Sequence, residues 1–437
     1  MRKLLSLLLV IMVLSSLLAA CGSSAGNGTA STQAATTAVK VQETTKAEPV
    51  TIKYFDWTKA DTVIQTVTDE YMKENPNVKV EADFVPNDQY MTVLKTKVIS
   101  GDAPDVYGML VGMDLTEYAK AGYVADLSNE SYIKDFGKSA LETAMVDGKI
   151  YGLPTKINVS GVFYNKKMFT EYGLSVPQSW EEFLAVCEVI KSKGIIPISQ
   201  GHKTEWASLI IPYEILSQTL YYDNNAIDDA LASGTAKFND TGDGWNNALN
   251  KYLELQKKGY FNKDFLSTDY PQAVALFTNR KAAMTIVPTW ALPMVNKAEN
   301  TADFGYFAFK MKKENRPVSF GMVASAISLS ATSKNMDAAK NYLAYWAKDE
   351  NLGLVSGKQA VPTKTTIKTD FDPIIKDYMA QLNVGTDLAN IDKAWPLGVQ
   401  PILIKGYSEM FAAGRKPAEV LADMDKEVAR WITEQSN

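Results

Sequence analysis

The chain contains very little cysteine and histidine, and this scarcity restricts the chemistry open to it. Its 437 residues include two cysteines, Cys21 and Cys187, and a single histidine, His202. One histidine cannot form a histidine-rich metal site, and no nucleophile with an orienting carboxylate accompanies it in a recognisable array. We therefore expect no bound metal, no cofactor and no catalytic triad.

An excess of basic residues is also missing. Lysine and arginine total 45 against 50 aspartates and glutamates, which gives a net charge of −5. A protein that binds nucleic acid through its whole surface carries the opposite balance, so we expect no nucleic-acid partner. The length and a hydrophobic content of 46% suggest a soluble globular protein of two or three domains.

Long apolar runs are absent except for one at the N-terminus. It extends over 17 residues from Leu4 to Ala20 and follows two basic residues, Arg2 and Lys3. A transmembrane anchor is one interpretation, since 17 residues is the lower limit for a spanning helix. The small residues before Cys21 and the lack of a basic stop-transfer cluster favour a cleavable secretory signal over residues 1–20.

The end of this run resembles a bacterial lipobox, Leu18-Ala19-Ala20-Cys21-Gly22. The resemblance implies that the Cys21 thiol is lipidated and that cleavage leaves Cys21 as the first residue. Because one lipid chain holds a protein only marginally at a membrane, we expect several acyl chains, palmitate among them, on Cys21. Residues 21–49 are rich in Gly, Ser, Thr and Ala, which predicts a flexible tether.

From Thr51 onwards, strand patterns alternate with helix patterns. The segment "VTIKYFDW" predicts a strand, 61–74 a helix, "VKVEADF" a second strand, and about 88–100 a second helix. This alternation predicts an α/β fold with a mainly parallel sheet, whose ligands bind at the carboxyl ends of strands. The pattern therefore predicts that four candidate residues follow strands: Asp56, Trp57, Asp105 and Tyr107.

Four segments in order resemble the family 1 extracellular solute-binding proteins, the carbohydrate receptors of ABC importers. They are "SGDAPDVY", "DGKIYGLPTKINVSGVFYNKKMFTEYGLSVPQSWEEF", "FTNRKAAMTIVPTW" and "ISLSATSKNMDAAKNYLAYW". The resemblance extends from about Thr51 to the C-terminus. It implies a two-lobed periplasmic binding protein type II fold with a hinge and discontinuous lobes. The expected N-terminal lobe is 50–157 plus 289–340, and the expected C-terminal lobe is 158–288 plus 341–437.

The same resemblance implies a function and partners. We expect a monomeric receptor, lipid-anchored at the extracytoplasmic face of the cell membrane, that passes a carbohydrate to the transmembrane subunits of an ABC permease without catalysis. The rival interpretation is a secreted, lipid-anchored glycoside hydrolase, since an aromatic cleft with two carboxyl groups could also cleave a sugar. A surface adhesin is a further alternative, but the sequence has neither repeats nor a β-rich pattern.

A carbohydrate site needs flat aromatic surfaces and fixed hydrogen-bonding groups, and the sequence offers candidates for both. Four tryptophans lie in or beside helical patterns and are assigned to packing: Trp180, Trp245, Trp346 and Trp431. Four lie at strand ends or in loops and are predicted to line a cleft: Trp57, Trp206, Trp290 and Trp395. By resemblance, Trp290 is the aromatic residue that stacks on the sugar, and Gly321 allows close approach of the backbone. The polar candidates are Asp56, Asp105, Lys156, Asn158 and Glu205.

Overall fold

The structure is a computed structural model, which describes residues 49–57, 62–240, 242, 244–323, 325–383 and 386–435. The predicted signal sequence, Cys21 and the tether up to residue 48 lie outside the described residues.

The strands, in chain order, are β1 Val50–Asp56, β2 Val78–Phe84, β3 Val106–Met109, β4 Met145–Val146, β5 Lys149–Ile150, β6 Leu153–Pro154, β7 Lys156–Val159, β8 Val162–Asn165, β9 Ile196–Ser199, β10 Ala282–Ile286, β11 Phe304–Phe307, β12 Ser319–Val323, β13 Ala326–Leu329, β14 Val361–Pro362 and β15 Leu388–Ala389.

The α-helices are α1 Thr62–Glu74, α2 Asn87–Ile99, α3 Met113–Lys120, α4 Lys138–Thr143, α5 Lys166–Glu171, α6 Trp180–Ser192, α7 Ile210–Ser217, α8 Ile227–Ala232, α9 Trp245–Lys257, α10 Tyr270–Thr278, α11 Leu292–Val295, α12 Met336–Trp346, α13 Asp349–Ser356, α14 Lys376–Met379, α15 Val399–Ala413 and α16 Pro417–Gln435.

The first sheet has the strand order β2-β1-β3-β13-β6, and its first three strands are parallel. Its β-strands and the helices α1, α12 and α13 enclose one hydrophobic core, in which Ile52, Val106 and Trp346 are almost fully buried. The two strands and two helices predicted between residues 50 and 100 are confirmed. The parallel pairing brings the carboxyl ends of β1, β2 and β3 to one edge of the sheet.

The second sheet has the order β11-β8-β10-β9 and is mostly antiparallel. Strand β8 pairs antiparallel with both β10 and β11, and only β9 and β10 run parallel. The prediction of a mainly parallel sheet is therefore wrong for this part of the chain. The parallel pair exists because the long segment between β9 and β10 contains helices, which provide the crossover that parallel strands require.

Two hydrogen-bonded antiparallel strands, β7 and β12, connect the two sheets. Strand β7 leads from β6 of the first sheet to β8 of the second, and β12 leads from β11 of the second sheet back to β13 of the first. The chain returns to the first sheet only at β13, residue 326, rather than at the expected 289. Helices α12 and α13 then pack on the first core, whereas the expected N-terminal lobe ends at residue 340, within α12. The chain passes from α13 to the helices α15 and α16, which pack on the second core.

The second core contains two of the four tryptophans assigned to packing, Trp180 and Trp245, and the first core contains Trp346. Trp180, Trp245 and Trp346 are 3%, 0% and 1% exposed, which confirms that they are buried, and Trp431 is half-buried. Cys187 is fully buried on α6, and this burial raises the pKa of its thiol far above the ordinary value.

Glu214 lies buried beneath the connecting strands. It belongs to α7, is 1% exposed, and accepts a hydrogen bond from the backbone N–H of Phe320 in β12 at 3.3 Å. Burial raises the pKa of this carboxyl group from 4.5 to about 8. The folded chain therefore holds a proton on Glu214 at neutral pH.

We predict that Glu214→Gln removes a pH dependence of stability. Between pH 4.5 and 8 the folded state keeps a proton that the unfolded state loses, so this group's stabilising contribution, complete below pH 4.5, is lost as the pH rises to 8. The glutamine variant cannot titrate, so the unfolding free energy of the wild type should fall relative to the variant across this window. Denaturant unfolding at several pH values measures the difference, with exposed Glu171→Gln as control; a pH-independent difference contradicts the prediction.

Candidate functional site

Asp56 is the last residue of β1 and Trp57 follows it, at the carboxyl edge of the first sheet, as predicted. The half-buried Trp57 ring meets the Tyr90 ring of α2 edge-on, with centroids 4.8 Å apart. Both residues lie over Gly108 of β3, since a Cβ atom there would be 2.7 Å from Asp56 Oδ2 and 2.9 Å from Trp57 Cζ3. Because Gly108 has no side chain, it leaves room for the Asp56 and Trp57 side chains at the sheet edge.

The Asp56 carboxylate is already bonded within the protein. The Tyr54 hydroxyl donates to its Oδ2 at 2.6 Å, and the Trp57 backbone N–H donates to its Oδ1 at 2.6 Å. The side chain is only 6% exposed. The bond to the Trp57 backbone holds this residue in place, so Asp56 can orient its aromatic ring.

Trp206 and Trp290 come together at the corresponding edge of the second sheet. The segment containing Trp206 follows β9, and Trp290 follows β10, the neighbouring parallel strand. Their ring centroids are 5.5 Å apart, and Tyr270, the first residue of α10, lies 4.9 Å from Trp206. Both tryptophans are half-buried. These three residues, which we call the aromatic trio, present the kind of surface that binds the apolar face of a ring.

Lys156 and Asn158 lie two residues apart in β7, so their side chains project from the same face of that connecting strand. Ile157 and Val159 project from the other face into a hydrophobic cluster. Asn158 is 1% exposed, and its Oδ1 has no hydrogen-bond partner among the described residues. The Val159 backbone N–H donates to Thr289 Oγ1 at 3.4 Å, which places the turn containing Trp290 against β7.

A loop at 390–396 carries two charged residues that were not among the predicted site residues, Asp392 and Lys393. Asp228 anchors it by accepting hydrogen bonds from the backbone N–H groups of Asp392 and Ala394, at 3.0 and 2.9 Å. Lys393 contacts the first-sheet part of the chain, because a Cβ atom on Gly112, just before α3, would be 3.0 Å from its carbonyl oxygen. The loop thus joins the second core to the edge that carries Trp57.

Burial shifts the pKa values of both charged residues of this loop. It raises the pKa of Asp392 to about 7 and lowers the pKa of Lys393 to about 8. The only signal in the sequence was their position in "NIDKAWPLG", next to Trp395.

Asp105 does not follow a strand, and its predicted place is wrong. It directly precedes β3, at the amino end, whereas Asp56 and Trp57 lie at the carboxyl end of neighbouring β1. Its Oδ2 accepts from the Lys53 backbone N–H at 2.8 Å and its Oδ1 from the Ser333 hydroxyl at 2.5 Å. Asp105 therefore connects β1 to the segment that follows β13, away from the edge that carries Trp57. Tyr107 is fully buried within β3.

Trp395 is a core residue and does not line a cleft. It is 2% exposed, and its ring lies 4.8 Å from Phe238 and 5.2 Å from Trp245. Gly321 also differs from its expected role: a Cβ atom there would be 2.6 Å from a methyl carbon of Leu388. The glycine makes room for the neighbouring strand β15 rather than for a ligand.

Two residues close to Trp206 in the sequence, Glu205 and His202, differ in burial. Glu205 is exposed at the start of the 3-10 turn Glu205–Leu209. His202 is 6% exposed, is hydrogen-bonded to the Tyr252 hydroxyl and lies among aromatic rings. Burial lowers its pKa to about 3, so the imidazole stays neutral and serves packing.

Within the described residues, no group of three or more histidine, cysteine, aspartate or glutamate side chains could hold a metal ion. None of the described helices is both long enough and apolar enough to cross a bilayer. A cavity of about 660 Å³ opens between the starts of α6 and α9 and residues 311–315, but none of the predicted site residues lines it.

Comparison with known proteins gives consistent matches. The family model described as bacterial extracellular solute-binding protein matches residues 25–352. The chain is 31% identical over 325 residues to the multiple sugar-binding protein of Streptococcus mutans serotype c, a match covering 69% of this chain and 71% of the relative.

Two solved structures share the fold. One is described as the solute-binding protein RafE in complex with raffinose, with a TM-score of 0.74, 25% identity and coverage of 86% of this chain and 98% of the other. The other is a chitin oligosaccharide binding protein, with a TM-score of 0.77, 24% identity and coverage of 88% and 99%.

Proposed function

This chain belongs to the bacterial extracellular solute-binding proteins, and we propose that it is the receptor of an ABC importer that captures a sugar or oligosaccharide outside the membrane. The observation that carries the proposal is the aromatic trio at the carboxyl edge of the second sheet, in a chain whose 31% identical relative is named for binding multiple sugars. The raffinose complex of RafE, a structural neighbour, supports the same ligand class.

We propose that the ligand lies between two lobes built on the two sheets. The aromatic trio and Trp57 each stand at the carboxyl edge of a sheet, where α/β proteins bind ligands. The connecting strands β7 and β12 would act as the hinge, with Lys156 and Asn158 on them. A ligand that touches both lobes favours the closed form, because only differential contact can shift such an equilibrium.

The binding residues we retain are Trp57, Trp206, Trp290, Lys156 and Asn158, with Asp56 positioning Trp57. Glu205 remains a candidate for a polar contact because its exposed side chain precedes Trp206. Asp105, Gly321 and Trp395 are left out because each is already engaged within the protein.

We also propose that the receptor is a monomer anchored by acyl chains on Cys21 and delivers its ligand to permease subunits. The lipobox-like segment and the tether composition support this placement. Intact-mass measurement of protein extracted from membranes tests the anchor: an unmodified Cys21 contradicts it.

Calorimetry against a panel of mono- and oligosaccharides tests the proposed function, with a chromogenic glycoside assay in parallel. We expect saturable sugar binding and no turnover. Hydrolysis of a glycoside by the purified protein, without saturable binding to any sugar, favours the glycoside hydrolase instead.

Trp290→Ala is expected to weaken binding of the best sugar about tenfold or more, because it removes a half-buried aromatic surface from the trio. Trp431→Ala is the matched control, since it removes a half-buried tryptophan from α16. Titration calorimetry of both variants measures the effect. Equal affinities for Trp290→Ala and the control contradict a stacking role.

A further inference from the structure

A cavity of about 280 Å³ lies between the helices α2 and α3, and none of the predicted site residues lines it. Its walls are mainly apolar, and the apolar side chains that line it include Met91, Val98, Ile99, Ala121, Tyr123 and Leu397. Leu397 precedes α15, so a segment next to the second core contributes to the wall. The volume is close to the lower limit for small-molecule pockets, so the cavity fits one small ligand.

One carboxylate lines this cavity without a partner among the described residues. Asp114, in the first turn of α3, is half-buried, and its side chain has neither a hydrogen bond nor an ion pair with them. It does not cap α3, because no side chain is hydrogen-bonded to the N-terminus of this helix. Every other buried or half-buried aspartate or glutamate in the described ranges accepts a hydrogen bond or forms an ion pair. Asp114 is therefore the exception among these carboxylates.

The surroundings of Asp114 favour a positively charged occupant. Burial, and after it the charge of Glu117, raises the pKa of Asp114 to about 6, so this carboxyl group is mostly ionised at neutral pH. Two neighbouring carboxylates repel each other, and a nearby cation offsets that repulsion. Lys95 of α2 also lines the cavity, but it forms no ion pair with either carboxylate. The apolar cavity thus contains negative charge that no described residue neutralises by direct contact.

The same wall contains two aromatic rings, one of which has an unengaged hydroxyl group. Tyr118 of α3 is 7% exposed, lines the cavity, and its hydroxyl has no hydrogen-bond partner among the described residues. Burial, and after it the charge of Asp114, raises the pKa of Tyr118 to about 12, so the phenol stays neutral. Its ring meets the Tyr123 ring edge-on, with centroids 5.7 Å apart. Aromatic rings beside carboxylates attract organic cations through cation–π contacts and charged hydrogen bonds.

We propose that this cavity is a second binding site, for a small organic cation that carries an ammonium group on an apolar body. The apolar body contacts the walls between α2 and α3, and the ammonium group pairs with Asp114, while Glu117 adds to the attraction. A neutral molecule leaves the Asp114 charge unpaired, and an anion meets two carboxylates. Because the cavity shares no residue with the candidate sugar site, the proposal stands whether or not the chain binds a sugar.

Calorimetry of the full chain with phenethylamine tests the site, and 2-phenylethanol is the matched neutral probe, because a hydroxyl group replaces the ammonium group. At neutral pH we expect the amine to bind about tenfold more tightly than the alcohol, or better. Asp114→Asn breaks no hydrogen bond, and it should weaken amine binding about tenfold while leaving alcohol binding unchanged. The control is Asp229→Asn, which removes the same charge from an exposed position of α8 and should leave amine binding unchanged.

A second variant, Ala121→Phe, tests where the amine binds. Ala121 is exposed, directly follows α3 and lines the cavity, so a phenyl group there occupies cavity space without entering a hydrophobic core. Both probes should lose affinity for this variant. The inference is overturned if the wild type does not bind the amine, binds amine and alcohol equally, or if Asp114→Asn or Ala121→Phe leaves amine binding unchanged. An equal loss in Asp229→Asn also overturns it, because net charge rather than the cavity then determines binding.

Discussion

Replacing Trp395 by alanine is expected to destabilise the folded chain by about 3–5 kcal/mol, the range for removing a large aromatic side chain from a core. The ring is 2% exposed and packs edge-on or tilted against Phe238, Trp245 and Tyr213, with centroid distances of 4.8, 5.2 and 6.4 Å. Its loss leaves a cavity lined by rings that cannot collapse without disturbing α7 and α9. Denaturant unfolding followed by circular dichroism measures the change.

The control is Trp431→Ala on α16, where the half-buried side chain leaves less apolar surface to lose. Stability and affinity must be measured together, because Trp395 also flanks Asp392. A Trp395→Ala protein of unchanged stability that has lost sugar affinity would show that the ring contacts ligand rather than core.

Replacing Gly112 by alanine is expected to weaken sugar binding about tenfold. Gly112 has φ +95° and ψ −136°, a combination that is essentially restricted to glycine, so alanine introduces backbone strain of roughly 1–3 kcal/mol. The new methyl group would also lie 3.0 Å from the Lys393 carbonyl oxygen. Separating the two parts of the chain relieves this second conflict, so the substitution favours the open form and opposes the ligand.

Gly122→Ala separates the two effects. Gly122 also has a positive φ, +73°, but a Cβ atom there would meet nothing within 4 Å. It therefore introduces backbone strain without the contact to Lys393. Calorimetry should give normal affinity for Gly122→Ala and reduced affinity for Gly112→Ala; equal affinities for the two variants contradict a role of the Lys393 contact in closure.

The local elements of the first sheet could be predicted because their signals are local. The alternation in Val50–Asp56 and the helical pattern ending before Asn75-Pro76 depend only on neighbouring residues. The pairing of β11 with β8, by contrast, joins residues about 140 positions apart. No periodicity within "FGYF" indicates which sheet this strand enters. For this reason the return to the first lobe was predicted near residue 289, earlier in the chain than the structure has it.

The residues of the candidate site show the same difference between local and long-range signals. Trp206 and Trp290 could be selected because each lies at a strand end or in a loop beside Glu or Pro, and the parallel pairing of β9 and β10 brings them together. Trp395 has similar neighbours in sequence, but rings on α9 and the turn before it bury it. Asp392 was missed because its positive φ and its hydrogen bonds depend on Asp228, Tyr213 and Gln400, all distant in sequence or on another element.

The buried thiol of Cys187 has a practical consequence for studying lobe motion. Among the described residues it is the only cysteine, it is fully buried, and its raised pKa keeps the sulfur protonated and unreactive. Maleimide dyes should therefore leave it unlabelled in the folded protein. A pair of cysteines engineered on α1 and α16 could carry a donor and an acceptor fluorophore without removing the native residue, so single-molecule energy transfer could follow opening and closing directly.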